Sequence, residues 1–367
     1  MKEMVSCYIV LIIKLHQIVR RDMNKTILVI GATGNLGAHI STHLKSLGYD
    51  VIAVGHRKND NGFFADYDIP YYSVDISKIE EFEKLPQSHI YAVVHFAGML
   101  PAVMKGFDGT SYVQSIIQGT LNVLEYTRKV GADRILFPQT LFDISYLFGT
   151  KVPIPADSLR KVPDGDHWLY VIAKNAAVDM IEHYYRNFGI KRFIIRLSRI
   201  YLYHPNPYTY TDGKKVLVSD RYLIYRAIQG ADIELWGDPN RLLETICIKD
   251  FLQIIEKAIT ADVDGGFYNV GSGGSTLKER IEGIVNVFSP KDHPSRIIYK
   301  PEKRSAMQFV LDIRKTVNEL GYKPNYSWHD YLLDFKEEMK LQRFAKIWGR
   351  EDDYISSDEI SKLVADK

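Results

Sequence analysis

Tyr170 and Lys174 stand four residues apart in a segment that could carry acid–base chemistry. Ala177, Val178 and Ile181 continue an apolar pattern of helical spacing, which predicts an amphipathic helix beginning near Tyr170. Residues i and i+4 share one helical face, so the phenol and the ammonium group should project together. We expect the positive charge of Lys174 to lower the pKa of Tyr170. The pair could then pass a proton to or from a substrate oxygen while a hydride moves at the carbon. An ordinary helix surface is the alternative, because the pattern often occurs by chance.

A glycine-rich stretch near the start of the chain could bind a pyrophosphate. The run Thr26–Ile30 reads as a strand buried on both faces, and Gly31, Gly34 and Gly37 follow it at three-residue spacing. An apolar pattern of helical spacing comes next. Glycines allow a tight turn and a close approach to phosphates, and a helix N-terminus offers free N–H groups. A purely structural turn is the alternative, but this order of elements favours cofactor binding.

The elements between these two motifs alternate between strand and helix patterns. We predict strands over residues 50–55, 71–74, 91–96 and 134–137, and helices after Asp75-Ile76 through Leu85 and over residues 110–130. Such alternation predicts an α/β fold with a Rossmann-type doubly wound parallel sheet. Ligands bind outside the carboxyl ends of the strands in such sheets. Five residues at these ends should therefore converge on one crevice: Gly31, His56, Asp75, Gly98 and Thr140.

The end of the second strand bears on the choice of cofactor. It continues into His56-Arg57-Lys58, where an NAD enzyme would hold the adenosine ribose 2′-hydroxyl with an acidic residue. Cationic side chains suit a 2′-phosphate instead. The sequence thus favours NADP over NAD, although NAD binding is also possible. If the segment has no function, it is a solvated basic loop.

Composition narrows the classes of protein. The chain has 367 residues and a formal net charge of +2, which supports neither a nucleic-acid groove nor an acidic tail. Cys7 and Cys247 are its only cysteines and form no metal-ligand spacing, so we expect no metal site and a reducing compartment, the cytoplasm. The apolar run over residues 8–13 is shorter than the ~20 residues that span a bilayer, so we read residues 1–23 as a dispensable extension, with a membrane anchor as the alternative.

Over about residues 25–335 the chain resembles the extended short-chain dehydrogenase/reductase superfamily, specifically its nucleotide-sugar epimerase/dehydratase family. The resemblance rests on the glycine turn, the Tyr170–Lys174 pair, the segment Arg196–Tyr201 and the later segment Tyr268–Gly271. It implies that Tyr170 and Lys174 are catalytic and that Thr140 hydrogen-bonds the reacting oxygen. The predicted cofactor-binding residues are Gly31, Thr33, Gly34, Asn35, Leu36, Gly37, His56, Arg57, Asp75, Ile76, Phe96, Ala97, Gly98, Tyr170, Lys174, Leu197 and Ile200.

The resemblance also implies a smaller C-terminal lobe that holds the substrate. Arg241 and Arg304 lie in segments that match the family's diphosphate-binding arginines, although Arg241 is displaced by two residues. We therefore divide the chain into an NAD(P)-binding Rossmann domain, a substrate-binding lobe and a C-terminal tail. The domain takes residues 24–200 and about 244–270, the lobe residues 201–243 and 271–335, and the tail residues 336–367. The tail is charged and helical, and we expect it to pack on the surface or fray.

Two departures from the family pattern concern the strand end before Thr140. Pro138-Gln139 replaces the usual serine cluster, and Leu141-Phe142 stands where nucleotide-sugar dehydratases carry Asp-Glu. Dehydration needs an acid/base pair there, so 4,6-dehydratase activity is not expected. Asp143 is the only carboxylate nearby, and we expect it at the surface.

The sequence thus predicts hydride transfer at a sugar carbon, either C4 epimerisation or reduction of a 4-keto sugar by NADPH. A regulatory protein that binds the dinucleotide without turnover is the alternative from another class. The expected partners are a nucleotide sugar and a second copy of the chain, paired through the helices over residues 110–130 and 170–188, with neither nucleic acid nor membrane.

Overall fold

A computed structural model describes residues 25–165, 168–211 and 213–365. The predicted extension over residues 1–23 lies outside these residues. Within the described ranges, no helix combines the length and the apolar character needed to cross a membrane.

The strands alternate with helices, as the sequence predicts. In chain order the strands are β1 (Thr26–Ile30), β2 (Asp50–Gly55), β3 (Tyr71–Ser73), β4 (Ile90–His95), β5 (Arg134–Gln139), β6 (Lys191–Arg196), β7 (Arg199–Tyr201), β8 (Tyr208–Thr211), β9 (Lys214–Leu217), β10 (Ile233–Trp236), β11 (Leu242–Leu243), β12 (Thr245–Cys247), β13 (Gly265–Asn269), β14 (Ser275–Thr276) and β15 (Ile297–Lys300). The α-helices are α1 (Asn35–Ser46), α2 (Gly109–Tyr112), α3 (Gly119–Lys129), α4 (Trp168–Phe188), α5 (Ser219–Ile228), α6 (Ile248–Thr260), α7 (Leu277–Phe288), α8 (Arg314–Leu320), α9 (Trp328–Leu341), α10 (Ala345–Trp348) and α11 (Ser357–Ala365).

Seven strands form the central sheet in the order β13-β6-β5-β4-β1-β2-β3, and every neighbouring pair is parallel. Side chains alternate across a strand, so β1 supplies both layers of the core. Ile27 and Val29 pack on one side of the sheet, and Leu28 and Ile30 on the other. The predicted doubly wound Rossmann-type fold is confirmed.

Two predicted helices differ from their expected form. The helix expected over residues 110–130 is divided into α2, a π-helical segment Val113–Gln118, and α3. The helix expected through Leu85 is a 3₁₀-helix over Ile79–Lys84. Apolar periodicity indicates helix in both places but does not distinguish these hydrogen-bonding patterns.

Outside the main sheet, the chain builds short strand pairs and helices. The pairs are β7–β12, β8–β9, β10–β15 and β11–β14. Helix α7 packs against α5 and α9, and its capping box joins Thr276 to Glu279.

The C-terminal tail differs from its prediction. Phe344, Ile347 and Trp348 belong to the main hydrophobic core and are 6%, 2% and 5% exposed. The expectation of a tail on the surface is therefore wrong for this part of the chain. Phe344, Ile347 and Trp348 have helical i, i+3, i+4 spacing, but this run is about one turn long and ends at Gly349, too short to stand out from the charged residues around it. Helix α11 buries none of its residues, as a surface tail would.

Candidate active site

The glycine turn joins β1 to α1 and meets the steric requirements of a phosphate-binding turn. Gly31 has φ +89° and donates its N–H to the Val54 carbonyl oxygen at 2.8 Å. A Cβ on Gly37 would lie 2.1 Å from the Gly31 carbonyl oxygen, so only glycine lets α1 pack this closely on the turn. Gly34 is the N-cap residue of α1 and offers no side-chain hydrogen bond to its first turn, which carries no acidic residue. The first N–H groups of a helix lack intrahelical partners, so this end fits a pyrophosphate.

Arg57 follows the end of β2 and is exposed, as is His56. The Tyr71 hydroxyl donates to the Arg57 carbonyl oxygen at 2.6 Å. The Arg57 guanidinium donates to the carbonyl oxygen of Ile347, which comes from the C-terminal tail. The structure thus places the two predicted phosphate ligands beside the glycine turn, one of them already in contact with the tail.

The remaining predicted cofactor residues follow their strands as expected. The Phe96 N–H donates to the Ile30 carbonyl oxygen at 2.8 Å, which brings the end of β4 against the turn. Asp75 and Ile76 follow β3, and the Ile76 carbonyl accepts a hydrogen bond from Asn122. On β5, the Gln139 carbonyl oxygen accepts from the N–H of Leu197 at 3.1 Å, and Ile200 lies on β7. These residues lie around the carboxyl edge of the sheet.

The Tyr170–Lys174 pair faces the end of β5. Tyr170 is 7% exposed and Lys174 4%. The Lys174 ammonium donates to the Pro138 carbonyl oxygen at 2.9 Å and lies 4.4 Å from the centre of the Phe137 ring. The Thr140 hydroxyl interacts with the Tyr170 phenol. The structure therefore brings together the three residues predicted to be catalytic.

Burial, rather than the charge of Lys174, determines the ionisation of this pair. Burial raises the pKa of Tyr170, and the contact with Thr140 opposes that rise only in part. Burial also lowers the pKa of Lys174 to about 7. The expectation that Lys174 lowers the pKa of Tyr170 is not met, because desolvation disfavours the charged form of each group.

Thr140 has a second partner besides Tyr170. Its hydroxyl accepts a hydrogen bond from the Phe142 N–H at 3.2 Å and caps the 3₁₀-helix Leu141–Leu147. The hydroxyl can accept this bond and still donate to a substrate oxygen, because it has one donor and two acceptor sites. Capping therefore fixes the position of Thr140 without using its proton.

Gln139 is a residue of this site that the sequence analysis did not assign. Its side-chain oxygen accepts the N–H of Thr140 at 2.8 Å, and its amide nitrogen donates to Asn175 at 2.9 Å. The side chain thereby connects the end of β5 to the helix that carries Lys174. The polar residue within a fully buried strand was the available signal, because such groups need partners.

The surface position predicted for Asp143 is wrong. Asp143 and Arg196 are both 0% exposed, and the carboxylate accepts hydrogen bonds from the guanidinium at 3.0 and 2.9 Å. A carboxylate can be buried in this way because the planar guanidinium pairs both of its oxygens. Asp143 therefore belongs to the core beneath the site.

The two predicted substrate arginines lie in different surroundings. Arg241 is half-buried and donates to the Ala306 carbonyl oxygen at 2.8 Å, while its Nε has no hydrogen-bond partner among the described residues. Burial and the neighbouring Arg280 lower the pKa of Arg241. Arg304 is exposed. Within the described ranges, no three His, Cys, Asp or Glu residues cluster as metal ligands would.

Two relatives of known name cover most of the chain. A UDP-N-acetyl-alpha-D-glucosaminuronate decarboxylase of Bacillus cytotoxicus is 24% identical over 323 residues, which cover 84% of this chain and 96% of that protein. A UDP-glucose 4-epimerase of Rhizobium meliloti is 22% identical and covers 83% of this chain and 93% of its own.

Solved structures share the fold. A UDP-glucose 4-epimerase of Thermotoga maritima, solved with UDP-glucose, has a TM-score of 0.69 and 22% identity and covers 86% of this chain and 99% of its own. A UDP-glucuronic acid 4-epimerase of Bacillus cereus, in complex with NAD, has a TM-score of 0.64 and 20% identity and covers 87% of this chain and 99% of its own. The sequence model of the NAD dependent epimerase/dehydratase family matches residues 27–271. The chain therefore belongs to the NAD dependent epimerase/dehydratase family, as its glycine turn and its tyrosine–lysine pair predict.

Proposed function

We propose that the protein binds a nicotinamide dinucleotide and transfers hydride at a carbon of a nucleotide sugar. The observation that supports this most directly is the meeting of Thr140, Tyr170 and Lys174 at the carboxyl end of β5. The glycine turn lies on the same edge of the sheet, where ligands bind in open parallel sheets.

Each of the three side chains has a role in this proposal. When bound, the nicotinamide ring would supply or accept the hydride. The Tyr170 hydroxyl exchanges a proton with the sugar oxygen at the reacting carbon, and the Thr140 hydroxyl orients that oxygen. Lys174 holds the nicotinamide ribose, and in its protonated form it would stabilise the phenolate.

Two reactions fit these roles. C4 epimerisation would return the hydride to the opposite face of the same sugar carbon, and 4-keto reduction would take the hydride from bound NADPH. The names of the epimerase relatives favour the first. The basic end of β2, at His56 and Arg57, favours NADP and thereby the second. We do not propose 4,6-dehydration, because Leu141 and Phe142 offer no acid or base.

Substrate and partner contacts complete the proposal. We infer that Arg241 and Arg304 bind the diphosphate, because the planar guanidinium pairs two phosphate oxygens.

We also infer a cytoplasmic homodimer that pairs through the α3 and α4 faces. Val113, in the π-helical segment before α3, and Ile172, on α4, are 42% and 43% exposed there. Light scattering would test the dimer, and a monomeric mass would contradict it.

Tyr170→Phe tests the proposed chemistry. We expect turnover of UDP-glucose or UDP-glucuronic acid with NAD, or of a nucleotide-linked 4-keto sugar with NADPH, to fall about 100- to 10,000-fold. The binding of the dinucleotide should persist, since only one hydroxyl is removed. Product analysis by mass spectrometry and NMR measures both reactions.

Tyr185→Phe is the matched control, because it removes a hydroxyl from the same helix that instead bonds Asp264. The control should retain activity.

A second candidate function is a regulatory dinucleotide-binding protein without turnover, favoured by the Pro138-Gln139 segment in place of a serine cluster. Dinucleotide binding without turnover of any of these substrates would support it against our proposal.

A further inference from the structure

The C-terminal segment, defined here as residues 342–355, contacts the glycine turn between β1 and α1. The Trp348 indole N–H donates to the Thr33 carbonyl oxygen at 3.1 Å. The Trp348 ring stacks on Phe344 at 4.5 Å between ring centres, and Phe344 lies 4.2 Å from His39 on α1. The segment is thus packed against both the turn and the first helix of the dinucleotide-binding domain.

The same segment fixes Arg57. The Arg57 side chain donates to the Ile347 carbonyl oxygen, and the Arg57 carbonyl accepts from Tyr71. The residue is therefore tied at both its backbone and its side chain, although it remains exposed. A guanidinium has five N–H donors. One bond to a carbonyl leaves most of them for an anion.

The C-terminal segment also contacts the loop after β2, which follows Arg57. The Asn61 side chain donates to the Lys346 carbonyl oxygen at 3.0 Å. The Lys346 ammonium donates to the Gly62 carbonyl at 3.0 Å and pairs with Asp66 at 2.6 Å. The pairing compensates an acidic charge in the loop that follows Arg57. The loop and the C-terminal segment thus hold each other in place.

We propose that the C-terminal segment is part of the dinucleotide site and positions Arg57 to select the ribose 2′-phosphate of NADP over the 2′-hydroxyl of NAD. This inference rests on the proposed binding of a dinucleotide. A free arginine loses side-chain freedom when it binds a phosphate, and a guanidinium already held in place loses less. Arg57 is the specificity-determining residue, and Trp348 and Ile347 act through it as positioning residues.

A double-mutant cycle on the full-length protein tests the inference. Trp348→Phe keeps an aromatic ring in the core but removes the donor to Thr33, and Arg57→Gln removes the cation. The dissociation constants of NADP and NAD are measured by calorimetry for the native chain, both single variants and the double variant. We expect Trp348→Phe to weaken NADP binding about three- to tenfold, the effect of one lost hydrogen bond, and NAD binding less than about twofold. In the Arg57→Gln background, Trp348→Phe should have no further effect on NADP.

Trp328→Phe is the matched control. Its indole N–H also donates to a backbone carbonyl, that of Arg280, at 3.1 Å, but on α9 and away from Arg57. This variant should leave the ratio of the two dissociation constants unchanged. If Trp348→Phe fails to fold, Lys346→Gln replaces it in the test. The Lys346 side chain is 44% exposed, and its loss weakens the contact between the C-terminal segment and the loop after β2.

The outcomes separate this inference from the proposed function. Equal weakening of NADP and NAD by Trp348→Phe, additive effects in the cycle, or tighter NADP binding would overturn the positioning role while dinucleotide binding stands. The positioning role would also be overturned if the native protein bound NAD alone and Arg57→Gln left that binding unchanged. A native protein that binds neither dinucleotide would overturn the proposed function and this inference with it.

Discussion

At the scale of single residues, burial determines how the Tyr170–Lys174 pair ionises. The spacing of the two residues predicts that they share a helical face, and the structure places both against the end of β5. The direction in which the pKa of Tyr170 shifts could not be predicted in the same way. It depends on desolvation, and the residues that cover the pair come from distant parts of the chain. The carbonyl of Pro138 and the ring of Phe137 both contribute to that cover.

The lowered pKa of Lys174 predicts a pH-dependent stability. Between about pH 7 and about pH 10, the unfolded lysine binds a proton that the folded lysine has lost. The free energy of unfolding of the cofactor-free native protein, measured relative to Lys174→Met, should therefore rise with pH across this window. The slope should approach about 1.4 kcal/mol per pH unit, and it should vanish below the window.

Urea unfolding at a series of pH values measures this difference. Lys129→Met, at an exposed position at the end of α3, is the control for the loss of a lysine from a helix surface. A stability difference between native and Lys174→Met proteins that is the same at every pH would contradict the lowered pKa of Lys174.

At the scale of elements, the glycine turn depends on contacts that allow no side chain. Gly37→Ala should prevent α1 from packing on the turn, because the added Cβ would lie 2.1 Å from the Gly31 carbonyl oxygen. We expect dinucleotide binding to be lost and the melting temperature to fall. Gly106→Ala adds the same atom where nothing lies within 4 Å, and it should change neither quantity. Thermal unfolding with and without dinucleotide checks both variants, and unchanged binding by Gly37→Ala would be inconsistent with the geometry.

Much of the order of elements follows from the sequence. The strand over residues 50–55 has the predicted bounds, because apolar and β-branched residues are bounded there by turn residues. The candidate site follows in part from the same reasoning, since strand ends of a parallel sheet share one edge. The partner of Gln139 and the burial of Asp143 could not be predicted, because the residues they bond, Asn175 and Arg196, lie far along the chain.

At the scale of the whole molecule, the C-terminal segment belongs to the core of the domain that begins the chain. Phe344 contacts His39, Phe63 and Trp348 through ring pairs with centres 4.2, 5.5 and 4.5 Å apart. A tail with this packing is part of the folded unit.

Phe344→Ala tests this placement. We expect it to lower the free energy of unfolding by about 3–5 kcal/mol, as large-to-small changes of buried aromatic residues do. Phe107→Ala removes the same ring from a side chain that is 74% exposed and should cost far less. Chemical denaturation measures both, and equal effects of the two variants would show that the tail does not pack in the core.

The bond between Trp348 and Thr33 joins residues 315 positions apart in the chain. During synthesis on a ribosome, the amino-terminal half emerges long before its last packing partner is made. The hydrophobic surface around His39 and Phe63 therefore stays uncovered until Phe344 and Trp348 have been made, and chaperones can bind there in the meantime. A premature stop a few codons upstream of Phe344 would release a chain that has every predicted catalytic residue but an incomplete core.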